Sequence, residues 1–268
     1  MDLDDALHTT RRDGGRVDAL IAEGWCIKDR AHGGYLAALA ERACATALAR
    51  PDATMRTITV HYLRGVAAGA VEFDVTVEHS GRRLATVSYR MRQGDAPAMV
   101  GVASFAPPGE PFEFREPTPP PRYPPVDTLA RSLDAPYVPR SFLELLDLRL
   151  APDPPLFSAS ATARVGGWVR LAQHRRPDVS SLLVLCDVFP RALMATQSHP
   201  PRVPPPTTSL HMLIHESDVA ARVRDDEHLI AELTTRRVSD GFFDEDSRLW
   251  SPDGALLAQG RQFAINIV

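Results

Sequence analysis

Two acidic side chains sit in stretches where acids are rare. Glu41 lies in LAALAERAC and Asp187 in LLVLCDVF. A carboxylate in such surroundings loses solvation and its pKa tends to rise, which suits a general base or acid. The spacing repeats, since Glu41 follows His32 by nine residues and Asp187 follows Asp178 by nine. The plainer reading of each is a buried carboxylate satisfied by hydrogen bonds or an ion pair, and Arg42 stands next to Glu41. A second feature is the pair Gly33-Gly34, directly after His32. A helix N-terminus presents unpaired N–H groups and the positive end of a dipole, and glycine lets a carbonyl approach them closely. That is the logic of an oxyanion hole for acyl transfer. The plainer reading is a turn that leads the chain into a helix.

These residues need elements to position them. Residues 33–49, GGYLAALAERACATALA, place Leu36, Leu39, Ala40, Ala43 and Ala47 at helical spacing, with alanine on the opposite face as well. A helix that is small and apolar all round is a buried one. Four β-like runs follow, TMRTITVHYL, VEFDVTVEHS, RLATVSYRMR and PAMVGVASFA, with Gly81-Arg82 and Gly94-Asp95 as turns. The order is one buried helix, then an antiparallel meander.

Proline divides the chain. Residues 107–125, PPGEPFEFREPTPPPRYPP, hold nine prolines and can form neither a helix nor a central strand. After this tract the order repeats. A strand is expected around Ala159 to Val169, then a largely apolar helix from Val179 that Pro190 should kink or end. Strands follow in TTSLHMLIHE, HLIAELTTRRVSD, SRLW and ALLAQGRQFAINI, with a turn at Ser251-Pro-Asp-Gly254 and a long loop at HPPRVPPP. The fold class is therefore α+β, two helix-plus-antiparallel-sheet units in one chain. The expected boundaries are 1–107 for the first unit, 108–140 for a proline-rich linker and 141–268 for the second.

Bulk properties exclude several classes. The 268 residues are 44% hydrophobic and 24% charged, with a formal net charge of −4. That balance invites neither nucleic acid nor an anionic membrane. The first residues are acidic and polar, unlike a signal peptide, and no apolar run reaches the roughly 18 residues of a membrane span. Cys26, Cys44 and Cys186 are few and far apart, which fits a reducing cytoplasm and no disulfide framework. No Cys or His spacing matches a metal site.

The sequence HGGYLAALAE, a glycine helix start with an acid two turns in and a meander after it, resembles the helix-start motif of hotdog thioesterases. Two such units in one chain resemble the acyl-CoA thioesterase II family, from about Trp25 to Val268. The resemblance implies a double hotdog that hydrolyses a fatty or related acyl-CoA, in lipid metabolism, with coenzyme A as part of the substrate and no further cofactor. It also implies an Asp, a Thr and a Gln in the second unit that hold and activate water. Asp187 falls at the family's aspartate. Counting back from His215 puts the threonine at Thr207, with Thr208 as the alternative, and the terminal Ala-Gln segment puts the glutamine at Gln259. Gln262 is its rival, and in a regular strand only one of the two faces the site.

Hotdog sites form where the helix start of one unit faces the acid of the other. Gly33 and Gly34, beside His32, are therefore expected to face Asp187. Glu41 is expected to face DVSS, which has no glycine, and to be vestigial or structural. Rival readings are an acyl-CoA-binding hotdog without hydrolysis, a hotdog hydratase or dehydratase, and a structural partner protein. The Asn-Pro-x-His helix start of the hydratases is absent from the sequence. Pairing of the fused units into a homodimer or higher homo-oligomer is left open, as are acyl length and the coenzyme A phosphate contacts, for which Arg64, Arg82 and Arg83 are surface candidates.

Overall fold

The computed structural model describes residues 1–109, 114, 119–135, 138–201 and 205–266. Parts of both proline tracts, 110–113, 115–118 and 202–204, lie outside these, as do 136, 137, 267 and 268.

Helix α1 spans Gly33–Leu48. His32 caps it, its ring accepting the Tyr35 N–H, and Ala49 closes it in the left-handed region at φ 53°. Alanine and leucine favour the helix, which is buried from Gly34 to Glu41 and at Ala43, Cys44 and Ala47, with Arg42, Ala45 and Thr46 partly exposed. The strands around it are β1 (Thr9–Arg11), β2 (Arg16–Ile21), β3 (Thr54–Tyr62), β4 (Gly69–Ser80), β5 (Ala85–Gln93) and β6 (Ala96–Ala106). The second half supplies β7 (Leu146–Leu150), β8 (Arg164–Leu171), helix α2 (Val179–Leu185), β9 (Thr207–Ile214), β10 (Leu229–Thr234), β11 (Phe242–Trp250) and β12 (Leu256–Ile265).

All twelve strands join one antiparallel sheet in the order β1-β2-β4-β5-β6-β3-β9-β12-β11-β10-β8-β7, with Val238–Ser239 pairing as a short addition to β11. Read outward from the centre, each half repeats the other: β3 matches β9, β6 matches β12, and so on to the edges β1 and β7. The halves meet where β3 pairs with β9, from Thr57 opposite Leu213 to His61 opposite Ser209. Inward positions are apolar on both sides of this seam, with Ile58 and Val60 on β3 and Leu210 and Met212 on β9. The two helices lie against each other, with α1 packed on β1 to β5 and α2 on β8. The duplication read from element order is thus a two-fold pseudosymmetry of the molecule.

Several boundaries differ from the sequence reading. Residues 9–21, for which no strand was expected, form β1 and β2 within the first unit and extend the sheet beyond β4. The strand expected from Ala159 begins at Arg164, since Phe157 and Ala159 take positive φ while their N–H groups bond to Met194 and Gln197. Strand β11 begins at Phe242 rather than at Ser247. Helix α2 ends at Leu185, five residues before Pro190, so Asp187 lies just beyond a helix that was expected to contain it. The described part of the 108–140 segment is not a free tether. Trp168 Nε1 donates to Pro124 O at 2.9 Å, Arg149 Nη1 to Val126 O at 2.8 Å, and Ser132 N to Leu148 O at 2.7 Å, which lays residues 124–132 along β7 and β8.

Candidate active site

The start of α1 meets the end of α2. Gly34 N donates to Asp187 Oδ2 at 2.8 Å. The approach is close enough to require glycine: a Cβ on Gly34 would lie 2.7 Å from Leu183 O and 2.9 Å from Asp187 Cβ. His32 clasps the same junction. Its Nδ1 accepts the Tyr35 N–H at 3.3 Å, so the tautomer carries hydrogen on Nε2, which donates to Asp187 O at 3.0 Å. Burial pushes the His32 pKa down, against the pull of the Asp187 carboxylate, and the ring sits there neutral. Tyr62 Oη donates to Gly33 O at 2.9 Å and fixes the entry to the helix.

The other carboxylate oxygen faces β9 and β12. Asp187 Oδ1 accepts from Gln262 Nε2 at 3.2 Å and from Arg191 Nη1 at 3.2 Å. Thr207 Oγ1 donates to Gln262 Oε1 at 2.7 Å and accepts from Arg191 Nη2 at 2.8 Å. Asp187, Thr207 and Gln262 therefore form one hydrogen-bonded set. Thr207 reaches it through a local irregularity. Leu210, Met212 and Ile214 face inward, so regular alternation would turn Thr208 in and Thr207 out. The register shifts between Thr207 and Ser209, which reverses the alternation at the strand's start. Thr208 instead donates to Phe263 O on the exposed side.

Gln259 does not join this set. Along β12, Ala258, Gly260, Gln262 and Ala264 are buried, whereas Arg261 and Phe263 on the other face are exposed. Gln259 shares that outer face and bonds to His215 through Oε1 at 2.8 Å. Of the two glutamines weighed, the structure brings Gln262 and not the expected Gln259 to Asp187, because the period of the strand puts residues three apart on opposite faces.

Two partners were not legible as site residues. Glu245 is fully buried and accepts from Arg191 Nη1 at 3.0 Å, Gln262 Nε2 at 3.0 Å and Ala192 N at 2.6 Å. Burial pushes its pKa up, opposed by Arg191. Arg191 thus bridges two buried acids and a threonine. The signals were present: Arg191 is the one cation in the run 179–196, four residues after Asp187, and Glu245 alternates with the buried Phe243, Ser247 and Leu249. Reading β11 back to Phe242 would have exposed the latter.

The pseudosymmetric partner of this junction joins α2's start to the middle of α1. Ser180 Oγ donates to Glu41 Oε2 at 2.7 Å. Asp178 caps α2 in the place of His32, accepting from Ser181 N at 2.9 Å, and pairs with Arg42 at 2.6 Å and Arg175 at 2.8 Å. Burial raises the Glu41 pKa, with Arg42 the main opposing influence. Glu41 and Asp187 share their distance from the cap but not a helical depth, since only Glu41 is inside its helix.

A buried carboxylate flanked by an amide and a hydroxyl can orient and deprotonate a water molecule. The Gly34 N–H is engaged by Asp187 itself, so in this geometry it orients the acid instead of standing free for a substrate oxyanion. Among the described residues, no cluster of His, Cys, Asp or Glu could hold a metal ion, and no helix is long and apolar enough to cross a membrane.

Known families and structures match this architecture. Residues 21–106 match the acyl-CoA thioesterase N-terminal domain and residues 119–265 the acyl-CoA thioesterase C-terminal domain. A candidate thioesterase II from Thermobifida fusca is 24% identical, with a TM-score of 0.83 and 98% of both chains covered. A conserved hot dog protein of unknown function from Alicyclobacillus acidocaldarius is 21% identical, with a TM-score of 0.86 over 98% of this chain and 97% of that one. An acyl-CoA thioesterase II from Mycobacterium marinum is 17% identical, with a TM-score of 0.78 over 98% and 97%. At these identities the likeness speaks for the fold, which is a double hotdog. No curated protein matches the chain by sequence.

Proposed function

The chain belongs to the acyl-CoA thioesterase family, and from that premise we propose that it hydrolyses an acyl-CoA thioester at the junction of Gly34 and Asp187. The observation that carries this reading is the single hydrogen-bonded set of Asp187, Thr207 and Gln262 against the glycine start of α1. Asp187 takes a proton from water held by Thr207 and Gln262. The water oxygen bonds to the thioester carbon, the carbon–sulfur bond breaks, and the thiolate leaves and is protonated to free coenzyme A. The 16-residue helix α1 offers the positive end of its dipole to the developing oxyanion.

One observation favours a second reading, a binder that does not hydrolyse. Both oxygens of Asp187 are already engaged, Oδ1 by Arg191 at 3.2 Å and by Gln262, and Oδ2 by the Gly34 N–H, which commits the carboxylate to holding the junction together. One experiment separates the two. Thiol release is followed across a panel of acyl-CoAs of differing length and branching, for the native chain and Asp187→Asn. Hydrolysis predicts release by the native chain and a loss of about 10²–10⁴-fold in the variant, the usual worth of a general base. No release with any acyl-CoA favours the binder, and full activity in folded Asp187→Asn rejects Asp187 as the base.

A further inference from the structure

Glu245 is a fully buried acid for which the reaction above has no task. Two of its three partners can only donate: Arg191 Nη1 lies 3.0 Å from Oε1, and Ala192 N lies 2.6 Å from Oε2. Both carboxylate oxygens are thus acceptors. The third partner is Gln262 Nε2, 3.0 Å from Oε1. An amide can face either way, and here two acids decide its direction. Reversed, the Gln262 carbonyl would point at Asp187 Oδ1 and Glu245 Oε1 together, acceptor against acceptor.

The direction of the amide passes to the hydroxyl. With Nε2 turned to the acids, Gln262 Oε1 faces Thr207 and takes its hydroxyl hydrogen at 2.7 Å. One lone pair of Thr207 Oγ1 accepts from Arg191 Nη2 at 2.8 Å, and the second is left to accept again. Asp187 likewise keeps one of its roughly four acceptor positions, the others being used by Gln262, Arg191 and the Gly34 N–H. A water between Asp187 and Thr207 therefore meets acceptors from both. It gives one hydrogen to each, and its own lone pair is turned outward, toward a thioester carbon.

Asp187 cannot hold the amide in this direction by itself. Once it has taken a proton from water, its carboxyl can donate as well as accept. Glu245 stays outside that exchange. Packing does not call for an acid at its position either. The register shifts between Met55 and Thr57 on β3 and between Thr207 and Ser209 on β9 align the two halves. Ala103 then stands where Gln262 does, and Val87, opposite Ala103, stands where Glu245 does. Val87 is as fully buried as Glu245. The half that lacks the amide thus has a valine at this point, and a buried ion pair is often no more stabilising than apolar side chains of similar volume. Given the hydrolytic reading of the Asp187 junction, on which this rests, we propose that Glu245 is a positioning residue for the reaction: it fixes the direction of the Gln262 amide and thereby keeps Thr207 Oγ1 an acceptor for the attacking water.

Two substitutions separate charge from shape. Glu245→Asp keeps the charge and shortens the side chain, whereas Glu245→Gln keeps the shape and can turn a donor toward Gln262. With thiol release normalised to folded protein, Glu245→Gln should lower kcat about tenfold or more, the worth of a hydrogen bond to a charged group, with KM within about twofold. Glu245→Asp should retain more of kcat than Glu245→Gln. The reverse order, or full kcat in folded Glu245→Gln, would overturn the proposal, since a packing role favours the isosteric amide. Neutron diffraction from deuterated crystals of the native chain reads the same polarity without turnover and without a variant. The Thr207 hydroxyl deuterium should lie toward Gln262 Oε1, and the Nε2 deuteriums toward Asp187 and Glu245. A Thr207 deuterium turned away from Gln262 would overturn the proposal even if neither variant folds. Hydrolysis by the native chain together with any of these contrary results defeats this inference alone. No hydrolysis of any acyl-CoA, with the deuterium positions as expected, defeats the proposed reaction and leaves the polarity of the cluster standing.

Discussion

Gln262→Ala and Gln259→Ala form the sharpest pair of perturbations, because the two glutamines are three residues apart on opposite faces of β12. The Gln262 amide donates to Asp187 Oδ1 at 3.2 Å and Glu245 Oε1 at 3.0 Å, and accepts from Thr207 Oγ1 at 2.7 Å. Hydrogen bonds to charged groups are worth about 1.5–3 kcal/mol. If only the bond to Asp187 bears on the reaction, its loss lowers kcat about 10- to 150-fold, taking 1.36 kcal/mol as tenfold. The truncation also costs stability, about 1–3 kcal/mol for each buried group left short of a partner. Gln259 bonds to His215 on the exposed face, and its truncation should change kcat by no more than about twofold, as for an ordinary surface substitution. The assay is thiol release with kcat and KM separated, at a temperature where denaturation curves show each variant folded. A larger loss in Gln259→Ala than in Gln262→Ala would refute the register argument, and equal, negligible losses would refute the role of the amide.

Three further outcomes follow from the same junction. Gly34→Ala brings a Cβ to 2.7 Å from Leu183 O, and this overpacking should destabilise the chain by about 1–3 kcal/mol in urea titration; unchanged stability would mean the helices can separate freely. Arg191→Met strands two buried acids and should cost about 3–5 kcal/mol, much of it regained when Glu245→Met is added, which a double-mutant cycle reads directly. The His32 pKa is held below its ordinary value of 6.5 by burial, so the unfolded chain binds the proton first as pH falls. The stability tied to neutral His32 is then present above about pH 6.5 and is lost below it, by up to about 1.4 kcal/mol per pH unit. Comparing urea unfolding of the native chain and His32→Asn at about pH 7.5 and 5.5 checks this, since the variant should lose that part of the slope.

The fold was legible where hydrophobic period was strong. The alanine- and leucine-rich stretch 33–48 reads as a buried helix, and the four runs after it alternate cleanly, so their strands fall within a few residues of the expected bounds. Short elements governed by tertiary pairing were not legible. Strands β1 and β2 lie in a polar opening segment and exist because β4 offers an edge. Helix α2 looked long because its sequence stays apolar to Phe189, yet it stops at Leu185, and the chain then turns to place Asp187 and Arg191. In the site, helix starts and acids were readable because few residue types serve there. The glutamine was not, since choosing Gln262 over Gln259 needs the inward parity of β12, and both stand in a segment of mixed polarity. Glu245 was hidden for a related reason: its ion pair with Arg191 joins residues 54 apart and leaves no local spacing to detect, whereas Arg191 stands four residues from Asp187.

The seam between β3 and β9 has a consequence for how this chain behaves on dilution. The junction that gathers Gly34 from one half and Asp187, Thr207 and Gln262 from the other depends on the two halves staying paired along that ladder. In separate subunits such an assembly would follow mass action and fall apart at low concentration. Here both halves belong to one chain, and residues 124–132 of the connecting segment are held along β7 and β8, so the pairing of the halves is intramolecular. The cluster should therefore persist at protein levels where a dissociable pair would already be monomeric.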